Sequence, residues 1–135
     1  MKRFVSYIAL AVALAVAPVA RAEAASPRQL ADLALAERYW GGPTPLCEAV
    51  VIEPLVHPSS VLYVGWAEVP TTPQTECHIW LAGGVPPREL CYLMIHEYGH
   101  LFGIRESPDP ASIMNQAVMN PHQHVALCDR LYSSM

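Results

Sequence analysis

The chain has 135 residues, of which 53 % are hydrophobic and 15 % are charged, and its formal net charge is −4 at pH 7. This length is enough for one small domain with a single hydrophobic core. The acidic balance argues against nucleic acid or an anionic membrane surface as a partner.

The first 24 residues have the order of a secretory signal peptide. Lys2 and Arg3 precede an apolar run over residues 4–17, and small residues in an A-x-A arrangement follow it. The run is shorter than the roughly 20 residues that a membrane span needs. We therefore expect cleavage after Ala24 and a secreted protein, extracellular or periplasmic, whose mature domain covers residues 25–135. That domain contains five arginines, no lysine and eleven acidic residues, a formal charge of 5 − 11 = −6.

The mature chain begins with a predicted helix. Ser26 is followed by proline and, three positions later, by Gln29, which is the pattern of a capping box with proline at the first helical position. Gly41 and Gly42 end the helix. The residues that continue at helical spacing are Leu30, Leu33, Ala34 and Glu37.

Three strands and two further helices follow in the prediction. Segments 46–53, 61–68 and 75–82 are rich in Val, Ile, Tyr and Trp and are separated by turns that contain proline, so they are predicted strands of one sheet. A second helix is predicted from Arg88 to about Phe102, with Gly103 after it, and Asn120-Pro121 opens a third. This order predicts an α+β domain: a small mixed sheet packed on the second helix, plus N- and C-terminal helices.

All four cysteines lie in the mature part, and an even number in a small exported domain indicates two disulfides. Three pairings are possible. We favour Cys47 with Cys77, which joins the starts of two predicted strands, and Cys91 with Cys128, which joins two helices. The alternative that cysteines bind a metal lacks any C-x-x-C spacing.

The second predicted helix contains two candidate metal ligands and the candidate general base. His96 and His100 are four residues apart, so they project from one helix face and can bind one metal ion. Glu97, next to the first histidine, can reach a metal-bound water rather than the metal itself. A zinc ion with three protein ligands lowers the pKa of its bound water to about 7, and Glu97 would be the general base.

From His96 onward the sequence resembles the metzincin metalloproteases, in particular the matrixin branch. The family pattern is HExxHxxGxxH followed by a methionine turn, and here Gly103 is in register while Ser112-Ile113-Met114 resembles the turn. The resemblance implies a zincin-like domain in which Gly103 turns the chain back toward Zn²⁺ and Met114 lies under the metal without binding it. It also implies that a peptide substrate lies extended along an edge strand, which we assign to residues 76–82.

The departure from the family is Glu106, which stands where the third histidine is usual. Two histidines and a glutamate are an established catalytic zinc set, so the substitution need not abolish the site. The carboxylate reduces the net charge at the metal from +2 to +1, which makes a bound water less acidic. Asp109 is the alternative third ligand, although it could instead cap the turn around Pro108 and Pro110.

These observations predict a monomeric, secreted zinc endopeptidase that hydrolyses peptide bonds of a peptide or protein substrate. The alternative is a non-catalytic zinc-bound binding module on the same fold. Glu97 favours the enzyme, because zinc binding alone does not need a base at that position.

Overall fold

The computed structural model describes residues 25–56, 64–115 and 121–133. Its elements in chain order are α1 (Pro27–Trp40), β1 (Cys47–Pro54), β2 (Gly65–Ala67), β3 (Gln74–Leu81), α2 (Pro87–Leu101) and α3 (Pro121–Ser133). They form a small α+β fold, as predicted. The predicted signal peptide, residues 61–63 of the second predicted strand and the cap at Asn120 lie outside the described residues.

The sheet is mixed, with the strand order β1-β3-β2. β3 pairs with β1 in parallel and with β2 in antiparallel orientation. The expectation that residues 76–82 form an edge strand is therefore wrong, because β3 is the central strand and hydrogen-bonds on both sides. From His78 to Leu81 its main chain is paired with β1 on one side and with β2 on the other, so this part of the strand is not open to a substrate. The edge strand that packs against α2 is β2.

α1 begins as the sequence predicts. The side chain of Ser26 accepts a hydrogen bond from the Gln29 N–H, and the Gln29 side chain accepts one from the Ser26 N–H. The buried face differs from the predicted stripe: Leu30 is 53 % exposed, whereas Leu35, Ala36 and Asp32 are buried.

Asp32 can be buried because two partners satisfy its carboxylate. Arg28 donates to one oxygen from 3.0 Å, and the Tyr132 hydroxyl of α3 donates to the other. The Arg28 guanidinium also lies over the Tyr132 ring and donates to the carbonyl of Pro87. One buried aspartate thus connects α1 with α3 and, through Arg28, with the start of α2.

α2 is the centre of the fold. It packs against α1 and α3 and against the strands β2 and β3. Ten of its residues are buried, and they extend over almost the whole helix from Cys91 to Leu101. A helix that is enclosed in this way has a fixed position, so the side chains that it presents to a cleft are preorganised.

The two disulfides join Cys47 to Cys77 and Cys91 to Cys128, which is the favoured pairing. The first links β1 to β3, and the second ties α3 to α2. Two disulfides in a small domain are typical of an oxidising compartment. Among the helices in the described part of the chain, none is long and apolar enough to cross a membrane.

Candidate metal centre

The two histidines of α2 present their Nε2 atoms to a common point. The rings meet edge to face with their centroids 5.0 Å apart. The Nδ1 of His96 lies 2.7 Å from the carbonyl oxygen of Ile113, and the Nδ1 of His100 lies 2.7 Å from that of Ile104. A carbonyl can only accept, so each Nδ1 carries the proton. In the neutral ring each Nε2 then has its lone pair available to a metal ion.

The end of α2 turns the chain back toward these histidines. Gly103 has a φ of 77°, its N–H donates to the carbonyl of His100, and the Ile104 N–H donates to that of Gly99. This pair of bonds is a Schellman motif, in which glycine adopts the left-handed conformation at little cost. The reversal places the Ile104 carbonyl at His100, so the same turn ends the helix and fixes the tautomer of a candidate ligand.

Glu106 completes the group. Its Oε1 lies 3.2 Å from Nε2 of His100 and 3.4 Å from Nε2 of His96. With both Nδ1 protons used on carbonyls, these three atoms offer lone pairs to one another and no proton. Such an arrangement is stabilised by a cation between them. The site fits a metal ion on the chemistry of its donors.

Asp109, the alternative candidate for the third ligand, has a different role. Oδ1 of Asp109 accepts a hydrogen bond of 2.9 Å from the Ala111 N–H, which caps the turn between the two prolines. The Asp109 side chain is exposed, and its N–H donates to the Ser107 hydroxyl. The carboxylate that contacts both histidines is that of Glu106.

Glu97 is the second carboxylate at the histidines. A ligand atom from each of His96, Glu97 and His100 lies within 4.8 Å of the other two. Glu97 is only 4 % exposed, and burial, followed by the negative charge of Glu106, raises its pKa to about 8. A carboxyl with this pKa is a far better proton acceptor than an ordinary one, which suits a general base.

Gly65 of β2 makes room for that carboxylate. A Cβ at this position would lie 2.7 Å from Oε1 of Glu97, which is closer than real contacts allow. The strand backbone therefore approaches the Glu97 side chain directly, and only glycine fits between them. Sequence analysis did not single out Gly65. A glycine inside a predicted strand was the available signal, because it often marks the close approach of another group.

Met114 packs against the histidine helix at Gly99. It is 3 % exposed, and a Cβ at Gly99 would lie 2.5 Å from its sulfur and 2.8 Å from the Trp40 ring. The Trp40 indole donates to the carbonyl of Ile95, which anchors α1 on α2. Gly99, the residue before the second histidine, is thus the small residue that lets both large side chains reach the helix. Sequence analysis missed this role as well.

The loop that carries Met114 is closed on itself. The Ser107 N–H donates to the carbonyl of Met114 and the Asn115 amide donates to that of Ser107, at 2.7 and 2.9 Å. Because the carbonyl of Ile113 accepts from His96, the loop that contains Met114 also orients the first histidine. The loop therefore supports the site through its backbone as well as through the methionine side chain.

A comparison of the chain with models of protein families, with curated proteins and with solved structures gave no match.

Proposed function

We propose that this protein is a secreted zinc endopeptidase with a matrixin-like site, in which His96, His100 and Glu106 bind the metal and Glu97 is the general base. The observation that carries the proposal is the placement of one buried carboxylate beside two histidines whose tautomers are fixed. A structural metal site needs the histidines and their supporting carbonyls. It does not need a second, desolvated carboxylate in a slot made by glycine.

The spacing of the donor atoms supports a tetrahedral ion. Two ligands at about 2.0–2.1 Å from a tetrahedral zinc ion are roughly 3.3–3.4 Å apart. The Oε1 of Glu106 lies 3.2 Å from Nε2 of His100 and 3.4 Å from Nε2 of His96, so both of these distances agree with two ligands of one tetrahedral zinc ion. Three protein ligands leave one position open, which is the composition of a catalytic zinc site.

A bound zinc ion would supply Lewis acidity, which acidifies water and polarises a peptide carbonyl. Glu97 then accepts the proton of the attacking water and delivers it to the leaving amine as the peptide bond breaks. Because Glu97 is buried, bulk water does not compete for hydrogen bonds to its carboxyl group. The backbone at Gly65 packs against the side chain and keeps it beside the histidines.

Among the described strands, β2 is the edge strand beside this base, and only one of its two sides is paired. β2 hydrogen-bonds to β3 on one side, and the pairing continues at both ends, from Ala82 N–H to the carbonyl of Val64 and from Glu68 N–H to that of His78. Gly65 places this strand against Glu97. We therefore move the proposed substrate strand from residues 76–82 to the edge formed by β2, where an extended peptide can add main-chain hydrogen bonds.

The test is zinc analysis and cleavage of generic peptides by the purified mature protein, with and without a chelator. Glu97→Gln should keep the metal and lose on the order of a hundredfold or more in turnover, because it removes the base and leaves the ligands. Glu48→Gln, an exposed change on β1, is the matched control and should retain turnover. A wild-type protein that binds zinc and cleaves nothing would instead support the non-catalytic binding module.

A further inference from the structure

We propose that the cavity next to the metal centre is a subsite for a carboxylate of the substrate, and that Arg105 is the residue that recognises it. The inference rests on the proposed function and names its substrate class: peptides that place an acidic group close to the scissile bond. The cavity has a volume of about 490 Å³, within the range of roughly 300–1,000 Å³ that is usual for ligand sites. Its lining residues are Trp66, Ala67, Val69, His100, Arg105 and Glu106.

The cavity adjoins the reacting centre. His100 and Glu106 line it and are also proposed metal ligands, while Trp66 and Ala67 belong to the edge strand β2. A peptide that lies along β2 with its carbonyl at the metal would therefore have a neighbouring side chain or its own chain end at this cavity. The subsite and the proposed cleavage site are parts of one cleft.

Arg105 is the cation of this cavity. The mature chain has five arginines and eleven acidic residues, so its net charge is negative. The side chain of Arg105 gives the cleft a positive charge in this acidic domain. Within the described ranges, no carboxylate forms an ion pair with its guanidinium. The adjacent Glu106 does not neutralise it by contact, because the Glu106 Oε1 lies between the two histidine Nε2 atoms. An exposed guanidinium without a partner can pair with a carboxylate in a two-pronged geometry.

The remaining walls are apolar. Trp66 is 53 % exposed and Val69 is 39 % exposed, so both offer apolar surface to a bound group. An apolar stem would pack on these two side chains while the charged end reaches Arg105. A glutamate side chain has a longer stem than aspartate and suits this combination better.

A carboxylate can come from an acidic side chain or from the free C-terminus of a short peptide, and the probes separate the two sources. One set consists of peptides amidated at the C-terminus, with a single glutamate or glutamine moved through the positions around the cleaved bond. The other set contains no acidic residue and ends in a free carboxylate or in an amide. The measurements are kcat/KM for the wild-type zinc protein and binding to Glu97→Gln, followed by tryptophan fluorescence, to which Trp66 contributes.

At one position near the cleaved bond, we expect kcat/KM to be about fivefold to tenfold higher for the glutamate peptide than for the glutamine peptide. A ratio of this size corresponds to the free energy of one partly exposed ion pair. Arg105→Gln should bring this ratio close to one, Arg105→Lys should restore part of it, and added salt should reduce it. Arg88→Gln removes the same charge at the opposite end of α2 and should leave the ratio unchanged. A preference for the free C-terminus instead would assign the subsite to the chain end.

The results distinguish this inference from the proposed function. If wild type cleaves peptides but the ratio is near one in both sets, or is the same in Arg105→Gln, the carboxylate subsite is refuted and the peptidase stands. If wild type cleaves none of the peptides while the carboxylate ones bind more tightly and Arg105→Gln abolishes that difference, the subsite stands and the peptidase is refuted.

Discussion

Replacement of Glu97 by glutamine should stabilise the protein without its metal at neutral and alkaline pH. The pKa of Glu97 is raised from its ordinary value of 4.5 to about 8, first by burial and then by the charge of Glu106. At a pH between 4.5 and about 8, Glu97 has lost its proton in the unfolded chain but keeps it in the folded chain. The folded state therefore binds more protons, so the free energy of unfolding falls as the pH rises through this window.

The magnitude follows from the two pKa values. One pKa unit corresponds to about 1.36 kcal/mol, so the cost of the wild-type carboxyl is roughly 3 kcal/mol at pH 7 and on the order of 5 kcal/mol above pH 9. Because Glu97 is 4 % exposed, solvent screening reduces this cost little. A domain of this size has a total stability of about 5–15 kcal/mol, so the effect is a large part of it. Glutamine keeps the shape of the side chain and carries no charge at any pH.

The assay is urea unfolding of both proteins with intact disulfides and a chelator, from pH 4.5 to 9. Wild type and Glu97→Gln should be nearly equal at the acidic end and diverge as the pH rises, with the variant more stable. Glu48→Gln should follow wild type throughout. Added zinc should reduce the difference, because a cation beside Glu97 favours its charged form. A difference that stays below about 1 kcal/mol at pH 8 would refute the idea that desolvation of Glu97 dominates its energetics.

Three further predictions concern the supports of the site. Glu106→Ala should weaken zinc binding by one or two orders of magnitude in a competition titration and Asp109→Ala by much less, and the reverse result would make Asp109 the ligand. Gly65→Ala should reduce peptide cleavage while zinc stays bound, since the added Cβ would lie 2.7 Å from the base, whereas Gly83→Ala meets no atom within 4 Å and should leave cleavage unchanged. Tyr132→Phe should lower the free energy of unfolding by about 1–3 kcal/mol, because the buried aspartate of α1 loses a donor; an unchanged urea midpoint would show that Arg28 alone satisfies it.

Local sequence determined the elements and the candidate ligands. The Ser26 and Gln29 box starts α1, and Gly103 ends α2 in a left-handed turn, because caps and turns depend on a few neighbouring residues. The spacing of His96 and His100 fixed their common face for the same reason. Glu106 could be assigned from its register after Gly103, since the reversal acts over only three residues.

Tertiary structure decided what surrounds those residues. The sequence could not show that β3 is central and β2 is the edge, because strand order depends on contacts between segments far apart in the chain. Nor could it show that Asp32, rather than Leu30, lies on the buried face of α1, since that burial requires Tyr132 from a helix 100 residues later. The close approach of Gly65 to Glu97 could not be predicted from the sequence either. A glycine in a strand indicates that some group comes close to the backbone, but only the packed fold shows that this group is the Glu97 carboxylate.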